Sequence, residues 1–323
     1  MVEFRPGLLP ARPEKPRLSF SQFLTGAPIT PPKSVDWGAA VDEWPMLAND
    51  QWGDCVFASE AHALQAWTAN ASTQVTATAA ETLQAYSEVT GFNPDAGPPG
   101  QNPTDRGAVM QDALSYWRKT GMPACGARHR IVAFADVNHR DPTELEAAVA
   151  LFGEVLLGIQ VTQDAMTRFA SGQPWDAAPT SRVLGGHAIC AGTYDDQARY
   201  RWRVVTWGRV QECTQAFLDA HLLEAWVVVS PEWVAANGVA PSGLDLAGLG
   251  SAFQALTGDP NPFGPEPAPP APPPVPAPDM GALLAVVKQT ASDPRVQRWL
   301  ALRHRGLSRV VERQLREVID AAR

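Results

Sequence analysis

The stretch "NDQWGDCVFASEAHALQAW", residues 49–67, sets Cys55 behind Gly53 and Asp54 and ahead of an apolar, alanine-rich run with the spacing of a helix. A lone cysteine in such a place most often fills a core as a small apolar side chain. A cysteine that does chemistry needs more. The thiol attacks a carbonyl only as thiolate, its pKa brought down from about 8.5 by a neighbouring imidazolium and a helix N-terminus. Cys55, at the start of a helix expected over residues 56–70, meets the second condition. His187, in "LGGHAICAGTYD" over residues 184–195, is the histidine best placed to meet the first. It falls on an expected strand behind two glycines, which let another backbone or a substrate come close.

The chain has 323 residues, 45% of them hydrophobic, enough for one sizeable core with an appendage or for two modest domains. Its formal charge of −8 argues against a nucleic-acid role for the whole chain. Residues 279–323 carry nine Lys/Arg against five Asp/Glu, a balance of +4 that leaves −12 for everything before them. That C-terminal segment is a separate electrostatic object. No stretch approaches the roughly 18 consecutive apolar residues of a membrane span, and residues 1–33 lack the apolar run of a secretory signal. A cytoplasmic protein with no membrane partner is expected, with a place in a virion as the alternative. The four cysteines form no CxxC pair, and His62, His129, His139, His221 and His304 have no ligand-like spacing, so neither a metal nor another cofactor is expected. Cys125, Cys190 and Cys213 are expected to be structural. Cys190, three residues past His187, falls on the opposite face of the strand.

Four segments follow from composition and pattern. Residues 1–33 form a proline-rich tail, extended and draped over the domain that follows; residues 34–258 form that domain; residues 259–278, with eleven prolines, form a semi-rigid spacer; residues 279–323 form a small helical segment. Helices are expected over 56–70, 78–89, 108–121 and, opened by an aspartate cap and a first-turn proline, 141–153. The run "GFNPDAGPPGQNPTDRG", residues 91–107, reads as a surface loop. Strands are expected over 128–137, 154–161, 185–195, 199–207 and 224–230. Helices first and a mostly antiparallel sheet afterwards make an α+β pattern. In the C-terminal segment Leu307, Val310, Val311, Leu315, Val318 and Ile319 share one helical stripe, which points to a protein partner or self-association.

Four pieces, in this order, resemble the papain-like cysteine peptidases, over residues 34–230. "PKSVDWGAAVDEWPMLANDQWGDCVFA" (32–58) is similar to that family's mature N-terminus, and "ELEAAVALFGEVLLGIQVTQDAMTRFASG" (144–172) to its helix, strand and aromatic-x-x-Gly segment. "GGHAICAGTYD" (185–195) matches the histidine strand, and "VVTWG" (204–208) the strand carrying Asn-Ser-Trp-Gly. The resemblance implies a helical half and an antiparallel β half, with Cys55 as nucleophile and His187 as base. It implies Val205 or Thr206 in the place of the third, ring-orienting residue, where the family has asparagine; only Thr206 can hydrogen-bond a ring nitrogen, and Trp207 is implied to shield that contact. Either Asn49 or Gln51 is implied as side-chain donor to the oxyanion. The family's cysteine pair beside the active site is absent, and its large inhibitory propeptide is not expected here.

The activity this implies is a divergent bacterial or phage-type thiol hydrolase acting on peptide or isopeptide bonds of a peptide or protein substrate. Two alternatives stay open: a papain fold of weak or no activity kept as a binding or assembly module, and a cell-wall peptide amidase, whose Asp-Cys motif "GDCVFA" faintly resembles. The amidases keep their histidine much nearer in sequence than the 132 residues found here.

Overall fold

The computed structural model describes residues 6–12, 19–20, 30–233, 240 and 242. The expected spacer over 259–278 and helical segment over 279–323 lie outside the described residues.

The first strand or helix is a short strand, β1 (Ser34–Asp36), followed by α1 (Cys55–Ala71), α2 (Ala79–Thr90) and α3 (Met110–Lys119). A hairpin of β2 (Met122–Ala124) and β3 (Ala127–His129) leads to β4 (Ala133–Asp136), α4 (Pro142–Phe152), β5 (Val155–Thr162) and α5 (Gln163–Ala170). The chain then enters β6 (Val183–Asp195), β7 (Trp202–Thr206), β8 (Arg209–Cys213), α6 (Gln215–His221) and β9 (Leu222–Val229). The main sheet runs β4-β9-β5-β6-β7-β8, antiparallel throughout, with β1 added along the far half of β6.

Local chemistry sets the helix starts. Thr78 and Glu81 form a reciprocal capping box at α2, and Gly91 closes that helix in the left-handed region. Asp141 accepts from the Thr143 and Glu144 amides ahead of Pro142, whose missing N–H would have had no partner there. Helix α1 has no such cap. Its residues from Cys55 to Thr68 are all buried, as expected of a helix enclosed on every side.

The sheet separates two cores. One holds α1, α2 and α3 against inner-face residues such as Leu156, Cys190, Val205 and Trp226. The other holds α4 and α6 against Leu157, Ile189, Val204 and Val227. Alternation along β6 and β7 therefore sends neighbouring residues to different chemistry: Cys190 and Val205 face α1, while His187 and Thr206 face the other way.

Several boundaries differ from expectation. Residues 108–109 are extended, not helical, and Leu8 bridges to Ala108. The strand expected over 128–137 is broken, because β3 pairs back on β2 while β4 joins β9. The strands β1 and β8 and the helices α5 and α6 were not expected. Of the N-terminal tail, Ser19 bridges to Asp136 and Phe20 is fully buried in the second core. Among the described residues no helix is long and apolar enough to cross a membrane, and no group of three or more His, Cys, Asp or Glu side chains is placed to hold a metal ion.

Candidate active site

Cys55 is the first residue of α1 and is fully buried. Its Sγ accepts from the Ala188 amide at 3.4 Å, which sets the thiol beside the residue that follows His187. His187, also fully buried, has Nε2 at 2.7 Å from Thr206 Oγ1. The indole of Trp207 lies over the imidazole, nearly parallel at 17° with centroids 4.0 Å apart. Phe169 and Trp175 pack edge-on to the other side of that indole. The Nδ1 atom of His187 makes no hydrogen bond among the described residues, so the thiol rests on a backbone amide and not on the ring.

A tight hairpin explains why Thr206 meets the ring. Thr206 pairs with Arg209, leaving a two-residue loop in which both Trp207 (φ 43°) and Gly208 (φ 71°) are left-handed. That is the geometry of a type I′ turn, which matches the twist of the strands it joins. Thr206 thus ends β7 on the His187 face, and the next residue folds its ring over the imidazole. Val205, its neighbour, faces α1.

The loop before Cys55 is itself strained. Leu47 (φ 59°) and Ala48 (φ 67°) are consecutive left-handed residues with side chains, each costing about 1–3 kcal/mol. Asn49 is buried and donates its amide to Asp54 Oδ1 at 2.9 Å and, at 3.4 Å, to the Trp52 carbonyl. Gln51 is exposed. Of the two residues expected near an oxyanion, one is therefore engaged in its own turn and the other points to solvent.

The N-terminal tail, expected to drape over the domain, enters the site. The extended N-terminal residues 6–9 run between the segment before α3 and β6: Leu8 donates to the Gly186 carbonyl at 2.9 Å, Leu9 to the Ala108 carbonyl at 2.9 Å, and Ala108 to the Gly7 carbonyl at 2.8 Å. The Gly7 amide is turned to the Cys55 thiol. A Cβ on Gly7 would collide with the Gly53 carbonyl, so only glycine permits this approach. The Leu8 side chain lies over Gly158, and Leu8, Gly186 and Glu224 line a groove of about 410 Å³. Arg12 fastens the strap at its far end by an ion pair with Asp112 (3.0 Å) and a backbone bond to Gln111 (3.0 Å). The opposing wall is held by Asp105, which accepts from the Gly53 amide (2.9 Å) and from Tyr86 Oη (2.8 Å), while Tyr86 accepts from the Gly107 amide (2.9 Å). No sequence pattern marked these residues beyond the glycines themselves, because backbone pairing leaves no side-chain signature.

No protein-family model and no curated protein matches the chain. Among solved structures, xylellain, a cysteine protease from Xylella fastidiosa, superposes with a TM-score of 0.50 over 70% of this chain and 96% of its own, at 15% identity. The chain has the papain-like cysteine protease fold. Procathepsin B S9 from Trypanosoma congolense (TM-score 0.46, 13% identity, 70% and 86% of the two chains) and procathepsin L 3 from Tenebrio molitor (0.46, 14%, 68% and 75%) also match.

Within this papain-like fold, burial governs the ionisation of the pair. Desolvation pushes the Cys55 thiol up to about 12; the Ala188 and Gly7 amides oppose it, and the Asp54 carboxyl adds to it. Desolvation also pushes His187 down to about 3. With the strap in place both groups are neutral. Asp54, fully buried, is raised well above the usual carboxylate range by desolvation, against the opposing bond from Asn49. Of the remaining cysteines Cys190 and Cys213 are buried, and Cys125 is exposed.

Proposed function

We propose that the chain is a thiol hydrolase of peptide or isopeptide bonds, in which an extended peptide substrate takes the place of residues 6–9. Its Cys55 is the nucleophile, His187 the base and Thr206 the orienting residue. Thr206 Oγ accepts from Nε2–H, which leaves the Nδ1 lone pair to take the Cys55 proton. The thiolate attacks the carbonyl carbon, and the imidazolium then protonates the leaving amine as the tetrahedral intermediate collapses. Water, deprotonated by His187, cleaves the thioester and returns the thiol. The Cys55 amide, unpaired in the first turn of α1, is the backbone donor to the oxyanion; Asn49 or Gln51 serves as the side-chain donor once the strap has left.

The observation that carries this reading is the 2.7 Å contact of Thr206 with the His187 ring, roofed by Trp207 and next to a cysteine at a helix start. A core histidine filling space needs none of these together. The test is hydrolysis of a fluorogenic peptide library by a chain lacking residues 1–12, with Cys55→Ala as control. Turnover that vanishes in the control supports the reading; no turnover, and no thioether adduct with a peptidyl chloromethylketone, removes it. A muropeptide amide in the same library separates the cell-wall amidase from a general peptidase.

The complete burial of Cys55 favours a second reading, a peptide-binding or assembly module on a papain fold. It leads to peptide binding by the truncated chain without any Cys55-dependent turnover.

A further inference from the structure

On the α1 side of the sheet, away from His187, a cavity of about 330 Å³ opens between β1, the loop after it and strands β6 to β8. Glu154 lines it, 1% exposed, and no nitrogen or oxygen donor among the described residues reaches either carboxylate oxygen. The thiol of Cys190, a weak donor, is its hydrogen-bonding neighbour among the described residues. Room for the carboxylate exists because residue 192 is glycine; a Cβ there would collide with Glu154 Oε1. The cation in the lining does not serve it: Arg203 is held by Asp36 at 2.7 Å, and Asp36 also accepts from Thr193 at 2.9 Å. Asp42 adds an exposed carboxylate to the lining, and Trp44, Val41 and Val205 supply apolar wall. A buried acceptor that lacks a donor is costly, and one that faces a cavity with apolar walls is suited to a cation on an aliphatic stem.

We propose that this cavity binds a primary aliphatic ammonium group, its charge on Glu154 and its stem along Trp44 and Val205. Three N–H donors on a compact charge satisfy a carboxylate that has only a weak thiol donor among the described residues, and an indole in the wall is favourable to a cation. A divalent metal fits poorly, since Asp36 is committed to Arg203 and Thr193. The ammonium arrives either on a free amine or on a lysine side chain of another protein.

The probes are 1,4-diaminobutane and its uncharged isostere 1,4-butanediol, titrated into the full chain at pH 7.5 with melting temperature and calorimetry as readouts. The diamine raises the melting temperature and the diol does not. Glu154→Gln weakens diamine binding by at least about tenfold, and Gly192→Ala, which displaces the carboxylate without removing it, weakens it too. Binding tightens from pH 6 to pH 8, because burial holds the Glu154 carboxyl protonated up to about 8, with the Cys190 thiol and the Asp36 carboxylate facing it and Arg203 and Asp42 in the same lining. N-acetyl-lysine amide binding more tightly than the diamine assigns the ligand to a protein lysine, and weaker binding assigns a free amine. Equal responses to diamine and diol, or diamine binding unchanged in both variants, overturn the site.

Discussion

Thr206 gives His187 one hydroxyl, where an amide would add a second donor and a planar grip. Orientation of the ring therefore depends on a single contact under Trp207. Thr206→Val keeps the size and the β-branch while deleting that contact, and under the proposed mechanism it is expected to raise the barrier by about 1–3 kcal/mol. Steady-state kinetics on the truncated chain check this: kcat falls while Cys55 and His187 stay essential. Thr206→Asn retains activity wherever the strand end admits the amide. Thiol reactivity separates the cysteines at the same scale. In the intact chain iodoacetamide modifies exposed Cys125 first, because Cys55 is fully buried and its thiol is pushed up to about 12. Mass mapping of the alkylated sites that found Cys55 labelled first would contradict this order.

Among the elements, the strap is the one whose removal changes the site most. It contributes backbone hydrogen bonds on both sides of the cleft and covers the thiol. Deleting residues 1–12 is expected to speed Cys55 alkylation by about tenfold or more, since access no longer waits on a local opening. Gly7→Ala does the same in the full chain, because its methyl collides with the Gly53 carbonyl. An unchanged rate in both would mean that water reaches the thiol by another route. The elements also differ in how far their residues announced them. Asp141-Pro142, the alanine-rich run after Cys55 and the apolar "EVLLGIQV" carry local signals strong enough to place α4, α1 and β5 within a residue or two. The contact of Thr206 with His187 was legible only through the resemblance, since the I′ turn that sets it uses tryptophan at a left-handed position. A tail draped over the domain was legible from its prolines, but its entry into the cleft was not: that fit depends on Gly7, Gly53, Gly107 and Gly186, far apart in sequence and brought together by the fold. Glu154 was equally silent, since a glutamate before a strand gives no sign of its burial.

The molecule as a whole buries carboxyl groups and histidines, and their opposing demands give its stability an unusual pH profile. Asp54, Glu60 and Glu154 are raised by desolvation, Glu154 to about 8. In the unfolded chain they ionise near 4 to 4.5. As pH rises above that range the unfolded state sheds these protons while the native state keeps them, so stability falls, for Glu154 until about pH 8. His62 and His187 act in the other direction. Desolvation lowers them to about 4 and about 3, so below about pH 6.5 the unfolded state gains protons that the native state refuses, and stability falls as pH drops. The two arms oppose each other between about pH 4.5 and 6.5, and above that window the carboxyl arm acts alone. Glu60 isolates the alkaline arm, because it sits inside α1 with neither carboxylate oxygen hydrogen-bonded among the described residues and belongs neither to the candidate active site nor to the cavity at Glu154. Glu60→Gln keeps its shape and removes its ionisation. Calorimetric melting is expected to show little change at pH 5 and a higher melting temperature at pH 8.5, at about 2–4 °C for each kcal/mol of relieved strain at this size. Parallel pH profiles for the variant and the parent chain would show that Glu60 already ionises in the folded state, with water or a rearranged donor serving it inside the helix.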